Sequence, residues 1–158
     1  MPSVLFICTA NICRSPMASA LFLRICTEKD NSHSWRVDSA GTWAHEGDPV
    51  AEGTKSVMKS RGIDVSSHRS KLVKKENLEE FDLILTMEHG HKEALQIEFP
   101  SHSSRIYLLS EMVDKNIDIE DPYGGPILGY EKTANEIESL LREGFNTILS
   151  LVSGFQRG

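Results

Sequence analysis

Apolar and polar positions follow two rhythms along this chain. Four short runs rich in branched apolar residues are typical of buried strands, at 4–7, 35–39, 81–87 and 105–109. Longer stretches carry apolar residues at helical spacing and predict helices at 16–29, 49–62, 76–80, 88–98 and 129–152. Because strands alternate with helices, the pattern predicts an α/β fold, a three-layer α-β-α arrangement around a small parallel sheet of about four strands.

Breaker residues set the limits of these elements. Asp30-Asn31-Ser32 is expected to end the first helix, and Gly62 to end the second as a C-terminal glycine. The segment 65–73 is irregular and polar, which predicts a surface loop. Ligands of open parallel sheets bind at the carboxyl ends of the strands, so the loops after the four strands are the candidate site, at 8–15, 39–47, 87–90 and 110–125.

The first of these loops carries most of the candidate chemistry. Ser15-Pro16 has the composition of a helix start, in which Ser caps and Pro takes the first helical position. A loop that curls onto a helix N-terminus directs the N–H groups of residues 9–14 inward and binds a dianion. This environment should ionise Cys8 to its reactive thiolate, helped by a hydrogen bond from the Ser15 hydroxyl. The planar guanidinium of Arg14 can grip two phosphate oxygens.

If the Cys8 thiolate attacks a phosphoester, the leaving oxygen must be protonated, because an alkoxide or phenoxide leaves poorly. A carboxylic acid is therefore needed opposite the nucleophile. Asp121 lies in the Gly-rich turn 119–125, where Pro122 keeps it extended and outside any helix. We assign the acid to Asp121; the alternative is a turn residue that bonds its own backbone. Its neighbours Asp118 and Glu120 are interpreted as solvated carboxylates.

Composition narrows the class of protein. The 158 residues fit a single domain, 1–158, and 39% hydrophobic with 25% charged residues are ordinary for a soluble globular protein. The net charge of −6 argues against a nucleic-acid partner. Three cysteines, two of them in the candidate site, favour a reducing, cytoplasmic compartment over a disulfide framework. The N-terminal apolar run is too short for a signal or spanning segment, so no membrane insertion is expected.

The first loop also resembles that of a known family. Cys8-Thr9-Ala10-Asn11-Ile12-Cys13-Arg14-Ser15-Pro16 resembles the phosphate-binding loop of the low molecular weight protein tyrosine phosphatases, Cys-x-Gly-Asn-x-Cys-Arg-Ser-Pro, and departs from it at Ala10. The resemblance spans nearly the whole chain, through Asp38-Ser39-Ala40-Gly41-Thr42 and Ser67-His68-Arg69-Ser70. Asp121-Pro122-Tyr123 matches the segment that carries the family's acid. Other Cys-x5-Arg phosphatases generally place the acid before the loop, so the order of these parts also discriminates.

This resemblance implies roles for further residues. Asn11 would adopt a left-handed conformation held by Ser39 and His68, which keeps the loop open around phosphate. Trp43 and Tyr123 would form the walls of a slot for a phenyl ring. The simpler alternatives are that Ser39 is a hydroxyl at a strand end and that His68 is a surface imidazole. Trp43 and Tyr123 could equally be core or turn aromatics.

Cys13 raises a separate hypothesis. In the family this neighbour can form a disulfide with the nucleophile, which implies a reversible, redox-sensitive switch between Cys8 and Cys13. The alternative is a small core filler.

The implied activity is hydrolysis of phosphotyrosine in protein substrates. Cys8 displaces the substrate oxygen to form phosphocysteine, with Asp121 as the acid; Asp121 then activates water, and inorganic phosphate is released. The loop N–H groups and Arg14 stabilise the transition state. Neither a metal nor another cofactor is required, and the oligomeric state is left open.

Three other functions share parts of the pattern. A protein-arginine phosphatase of the same family resembles this chain at Thr9 and Gly124-Gly125 but carries Thr where this chain has Ile12, and a branched apolar side chain favours a phenyl ring. An arsenate reductase needs further cysteines to relay a disulfide, and Cys26 is the one other thiol. A non-catalytic phosphate-binding module would not need an intact nucleophile, arginine and acid.

Two polar groups are interpreted as surface features. Glu88-His89-Gly90-His91 has no third well-spaced ligand, and Gly90 should interrupt the helix, so no metal site is predicted. Lys71, Lys74 and Lys75 form a short basic run that predicts a solvated face.

Overall fold

One parallel sheet is the frame on which the candidate site is built. The computed structural model describes residues 1–30 and 34–157. Its strands are β1 (Ser3–Cys8), β2 (Arg36–Gly41), β3 (Leu83–Thr86) and β4 (Ile106–Leu108). They form a four-stranded sheet with the order β2-β1-β3-β4, in which every pair is parallel. The predicted fold class is confirmed.

Helices connect the strands, as the apolar spacing predicts. They are α1 (Arg14–Lys29), α2 (Glu52–Ser60), α3 (Lys75–Glu80), α4 (His89–Glu98), α5 (Ile127–Glu143) and α6 (Phe145–Arg157), with 3₁₀ turns at Pro100–Arg105 and Leu109–Val113. Asp30 caps the end of α1, and the other two residues of the predicted break, Asn31 and Ser32, lie outside the described residues. Within those residues, no helix is long and apolar enough to cross a membrane.

The central strand, β1, is buried along its whole length. Its alternate side chains enter two cores on opposite faces of the sheet. Val4 and Phe6 join the core that includes α1 and α5, whereas Leu5 and Ile7 join the core that includes α3 and α4. Because β2 and β3 flank β1 on opposite sides, a crevice opens at its carboxyl end, where Cys8 is the last residue.

The single closing helix predicted at 129–152 is two helices, α5 and α6, separated at Gly144. A Cβ added at Gly144 would lie 2.7 Å from the Cβ of Met112, so the chain passes too close to the Leu109–Val113 turn for a side chain. Glycine is a poor helix former, and the helix ends where this contact requires one.

The start of α2 also differs from the prediction, since it begins at Glu52 rather than at position 49. Ala51 stays extended, because its N–H donates to the carbonyl of Ile12 at 2.9 Å. The segment before α2 is therefore bonded to the first loop. Gly62 follows the helix with a φ of +78°, the left-handed conformation expected of a C-terminal glycine.

The segment 65–73 is not simply a surface loop. The Gly41 N–H donates to the Lys71 carbonyl, and the Val73 N–H donates to the Gly41 carbonyl, both at 2.9 Å. Ser70 is 2% exposed. This pairing extends the edge of β2 and brings the segment against the first loop. Lys71, expected to be solvated, forms an ion pair with Asp38.

Candidate active site

The loop of residues 8–13, between β1 and α1, has its carbonyl groups bonded to the surrounding protein. The carbonyls of residues 8, 9, 11 and 12 accept hydrogen bonds from the N–H of Thr42, the N–H of Trp43, the His68 ring and the N–H of Ala51, in that order. By contrast, the N–H groups of residues 9–13 donate to no acceptor within the described part of the chain. N–H groups without acceptors at a helix N-terminus form a binding site for an anion.

The sulfur of Cys8 lies in a hydrogen-bonded chain with Ser15 and Asn11. Asn11 Nδ2 donates to Ser15 Oγ at 2.8 Å, and Ser15 Oγ lies 2.9 Å from Cys8 Sγ. Because the Ser15 oxygen accepts the amide proton, its own hydroxyl proton is available to the sulfur. The predicted capping role of Ser15 was wrong: α1 begins one residue earlier, with Cys13 at the N-cap, and the hydroxyl serves the sulfur.

Asn11 fixes the shape of the loop. Its φ is +58°, a left-handed conformation that Asn tolerates better than most residues. Asn11 Nδ2 also donates to Ser39 Oγ at 2.9 Å, and the Lys71 N–H donates to Asn11 Oδ1 at 3.0 Å. The His68 ring donates from Nε2 to the Asn11 carbonyl at 2.7 Å. Burial holds the pKa of His68 below its usual range, and because the Asn11 carbonyl can only accept, the ring carries a proton on Nε2.

Ala10, the departure from the family's loop, causes no backbone strain. In the described part of the chain, the non-glycine residues with positive φ are Asn11 and Asp114. Ala10 therefore has an ordinary φ, and its Cβ is compatible with the loop.

Arg14 ends the loop and is 1% exposed. Its Nη1 donates to Glu88 Oε2 at 2.5 Å and to the Ile119 carbonyl at 2.7 Å. Its Nε is buried without a hydrogen-bond partner among the described residues, and its Nη2 lies 3.7 Å from the Asp121 carboxylate. The protein thus holds Nη1 by hydrogen bonds, whereas the edge formed by Nε and Nη2 makes none within the described residues and has the Asp121 carboxylate near Nη2. Such an edge can bind two oxygens of an anion.

Glu88 and His91 hold this loop from α4, and sequence reasoning missed them. Glu88 accepts the bond from Arg14, and buried His91 lies with Nε2 2.8 Å from Thr9 Oγ1. The surface interpretation was wrong for His91, and α4 continues through Gly90 without interruption. The contacts span 74 and 82 residues of sequence, so no local pattern reveals them. The available signal was their place at the carboxyl end of β3.

The Asp121 carboxyl group makes the turn contact that the sequence offered as one alternative, and it also lies at the cavity of Cys8. Its Oδ1 accepts the Tyr123 N–H at 3.1 Å, which is the turn contact. Its Oδ2 is the oxygen 3.7 Å from Arg14, and Asp121 lines the same cavity as Cys8. The turn therefore anchors one oxygen, while the other faces Arg14; the acid role of Asp121 stays a prediction.

A cavity of about 290 Å³ contains these groups. Trp43 and Tyr123 are 80% and 64% exposed, so both aromatic rings are accessible from solvent. His45 and Asp48, which sequence reasoning did not single out, lie on the segment after β2 and also line the cavity. The full lining comprises Cys8, Thr9, Ala10, Ile12, Cys13, Arg14, Trp43, His45, Asp48, Asp121 and Tyr123. The loops after β1, β2 and β4 contribute residues to the cavity lining. The loop after β3 contributes none, but its Glu88 bonds Arg14.

All three cysteines are free thiols. Burial, followed by the negative charge of Asp121, raises the pKa of Cys13 to about 11, and burial raises the pKa of Cys26 to about 12. Neither thiol ionises near neutral pH. Cys26 packs into the core from α1 and is not among the residues that line the cavity.

Known proteins resemble this chain over most of its length. The sequence pattern of the low molecular weight phosphotyrosine protein phosphatases matches residues 3–150. The chain belongs to this family. It is accordingly a hydrolase of the protein phosphatase class.

Relatives of this phosphatase include enzymes named for two substrates. A protein-arginine-phosphatase of Geobacillus stearothermophilus is 38% identical over 87% of this chain and 90% of its own length. The human low molecular weight phosphotyrosine protein phosphatase is 40% identical over 78% of this chain and 80% of its own length. A solved structure of the arginine phosphatase YwlE, a cysteine-to-serine mutant with a phosphorylated active-site serine, has a TM-score of 0.85 at 33% identity, covering 89% and 91% of the two chains.

Proposed function

We propose that this phosphatase hydrolyses phosphotyrosine in proteins, with Cys8 as the nucleophile, Arg14 as the phosphate-binding side chain and Asp121 as the acid and base. The observation that carries the proposal is their convergence in one cavity, where the Ser15 hydroxyl lies 2.9 Å from the sulfur and the Nε of Arg14 has no hydrogen-bond partner among the described residues. A nucleophile, an anion clamp and a proton donor suffice for phosphoryl transfer to sulfur.

In the first step, the Cys8 thiolate attacks phosphorus in line, so that a sulfur–phosphorus bond forms as the bond to the tyrosine oxygen breaks. Asp121 gives the proton on Oδ2 to that oxygen, while its Oδ1 stays bonded to the Tyr123 N–H. The N–H groups of residues 9–13 and Arg14 hold the three equatorial oxygens, where charge builds in the transition state.

In the second step, Asp121 accepts a proton from water as the water oxygen attacks phosphorus. The sulfur–phosphorus bond breaks, Cys8 leaves as a thiolate, and inorganic phosphate is the product. The phosphorylated active-site serine in the related YwlE mutant supports a phosphoenzyme intermediate.

The test of the nucleophile is Cys8→Ser. We expect loss of phosphotyrosine turnover with binding of vanadate or phosphate retained, and a phosphorylated thiol in quenched reactions of the wild type. Cys26→Ala is the matched control, because Cys26 lies outside the cavity lining. A Cys8→Ser enzyme with a near-normal rate would rule out the assignment.

Ile12 supports tyrosine over arginine as the leaving group. It adds an apolar branched side chain to a cavity that Trp43 and Tyr123 also line, a combination suited to a phenyl ring. One observation favours the alternative, because the Asp48 carboxylate lines the same cavity and could pair with a guanidinium.

The two substrates are separated by kcat/KM on phosphotyrosine and phosphoarginine peptides. We expect the wild type to prefer phosphotyrosine and Ile12→Thr to shift the ratio towards phosphoarginine, with Asp48→Asn tested alongside. A wild-type preference for phosphoarginine would overturn the choice of substrate and leave the proposed cysteine chemistry in place.

Two further alternatives receive less support. An arsenate reductase would need a third reactive thiol near the site, whereas Cys26 is 3% exposed in the core. A phosphate-binding module without catalysis is tested by hydrolysis of an aryl phosphate. Phosphate binding without any such hydrolysis would establish that alternative.

Redox sensitivity is part of the proposal. Oxidation of the Cys8 thiolate by peroxide gives a sulfenic acid, which condenses with the Cys13 thiol to form a disulfide and release water. Both residues line the cavity, which supports this pairing. Peptide mapping after mild peroxide treatment should find the Cys8–Cys13 crosslink and its reversal by a thiol reductant; its absence would remove the switch.

We further propose one domain over 1–158, supported by the match over residues 3–150 and by the two cores that share β1. The expected substrates are phosphotyrosine-containing proteins, and the net charge of −6 disfavours nucleic acid. The free thiols support a reducing compartment such as the cytoplasm.

A further inference from the structure

The hydrogen bonds of His91 determine which of its ring nitrogens carries the proton. The backbone N–H of Glu88 donates to His91 Nδ1 at 3.1 Å, so this nitrogen is the acceptor and has no hydrogen of its own. The hydrogen of the neutral ring is therefore on Nε2, which lies 2.8 Å from Thr9 Oγ1. His91 is the donor in this contact and the Thr9 oxygen is the acceptor.

This assignment fixes the role left to the Thr9 hydroxyl. Its oxygen is occupied by the His91 proton, and its own hydrogen has no acceptor among the residues that the structure describes. Thr9 directly follows Cys8 and lines the same cavity as Cys8, Arg14 and Asp121. A hydroxyl whose lone pair is engaged by a protein donor turns its hydrogen the other way.

We propose that His91 is a positioning residue that orients the Thr9 hydroxyl as a donor to an oxygen of the phosphoryl group bound in the loop. Thr9 thereby adds a side-chain donor to the backbone N–H groups. The inference rests on the proposed phosphatase function, and it extends that function to a histidine whose ring is not among the residues lining the cavity.

The environment of His91 keeps this orientation constant. His91 is 6% exposed, and the groups that act on it are the Arg14 guanidinium and the carboxylates of Glu88, Asp118 and Asp121. Burial and then Arg14 lower the pKa of His91 to about 4 against the opposing effect of the carboxylates. With a pKa of about 4 the ring is neutral near pH 7, so Thr9 receives the Nε2 proton there.

Two substitutions at His91 separate its bond to Thr9 from its bond to the Glu88 N–H at the start of α4. Asn can keep the acceptor near Nδ1 that binds the Glu88 N–H, but its amide is too short to reach Thr9. Gln can place an amide donor near the position of Nε2. The positioning role predicts that His91→Gln retains kcat/KM within about threefold, whereas His91→Asn loses about tenfold, the scale of a hydrogen bond to a charged group.

Substitutions at Thr9 test the donor itself. Thr9→Val should lower kcat/KM and weaken inorganic phosphate binding by about 10- to 100-fold, and Thr9→Ser, which keeps the hydroxyl, should restore both. In the Thr9→Val background, His91→Asn should add little, because its effect passes through the lost hydroxyl. His102→Asn serves as the histidine control, since His102 lies in the Pro100–Arg105 turn and is not among the cavity-lining residues.

The readouts are kcat and KM on a phosphotyrosine peptide and phosphate affinity by calorimetry. Loss in His91→Asn with rescue in His91→Gln supports the proposal. The reverse order, equal losses in both, or additive losses with Thr9→Val would overturn it, because each points to a structural role. Phosphate affinity reports on Thr9 without turnover, so a wild type that binds phosphate but hydrolyses nothing would refute the phosphatase proposal alone.

Discussion

Asn11 offers the sharpest test of how the loop is held. Its side chain makes three hydrogen bonds, to Ser15 at 2.8 Å, to Ser39 at 2.9 Å and from the Lys71 N–H at 3.0 Å. At a net 0.5–1.5 kcal/mol each, removing them should cost about 2–4 kcal/mol of unfolding free energy. An alanine also meets the left-handed backbone, which costs it about 1–2 kcal/mol that glycine avoids. Asn11→Ala should therefore lose about 3–6 kcal/mol, and Asn11→Gly about 1–2 kcal/mol less.

Urea unfolding of the wild type and both variants measures these differences, and phosphate affinity measures the loop itself. We expect both variants to lose phosphate binding, since neither replaces the side-chain bonds that keep the loop open. Equal stability of Asn11→Ala and Asn11→Gly would refute the argument from backbone conformation. A loss below about 0.5 kcal/mol in both would refute the argument from the hydrogen-bond network, because that is the ordinary effect of a surface substitution.

Three further predictions concern the acid, a close contact and a buried thiol. Asp121→Asn should lower kcat by about 10²- to 10⁴-fold on substrates with poor leaving groups, and an unchanged pH–rate profile would reassign the acid. Gly41→Ala should displace the loop and abolish phosphate binding measured by calorimetry, because its Cβ would lie 2.3 Å from the Thr9 carbonyl oxygen; normal affinity would contradict that contact. Cys13, with a pKa of about 11, stays a thiol at pH 7. Iodoacetamide mapped by mass spectrometry at that pH should modify Cys8, the proposed nucleophile, well before Cys13, and faster labelling of Cys13 would contradict its raised pKa.

The parts that sequence predicts are those whose physics is local. The apolar run of residues 4–7 identifies the central strand, and Cys8, Arg14 and Ser15 follow within a single turn of chain, so one segment reveals nucleophile, clamp and helix start. Asp121 was within reach because Pro122 and the glycines identify a turn.

The parts that sequence missed depend on contacts across the fold. Ser15 has the sequence position of an ordinary cap, and only the structure shows that its hydroxyl contacts Asn11 and the Cys8 sulfur. Likewise, Gly144 ends α5 because of Met112, and His91 becomes a site residue because of Thr9. No spacing of residues in the sequence predicts these contacts, because each depends on how the surrounding structure packs.

Those distant contacts have a common effect on the loop of residues 8–13. Three segments bond its outward groups. The segment between β2 and α2 bonds carbonyls 8, 9 and 12, residues 65–73 bond Asn11, and the start of α4 with its N-cap Glu88 bonds Thr9 and Arg14. Because these bonds fix the outward groups of the loop, the N–H groups of residues 9–13 keep no acceptor within the described part of the chain. Donors fixed before the substrate arrives need no reorganisation when charge develops on the phosphoryl oxygens. The left-handed strain at Asn11 is maintained for the same reason, because the surrounding bonds over-determine the loop's shape.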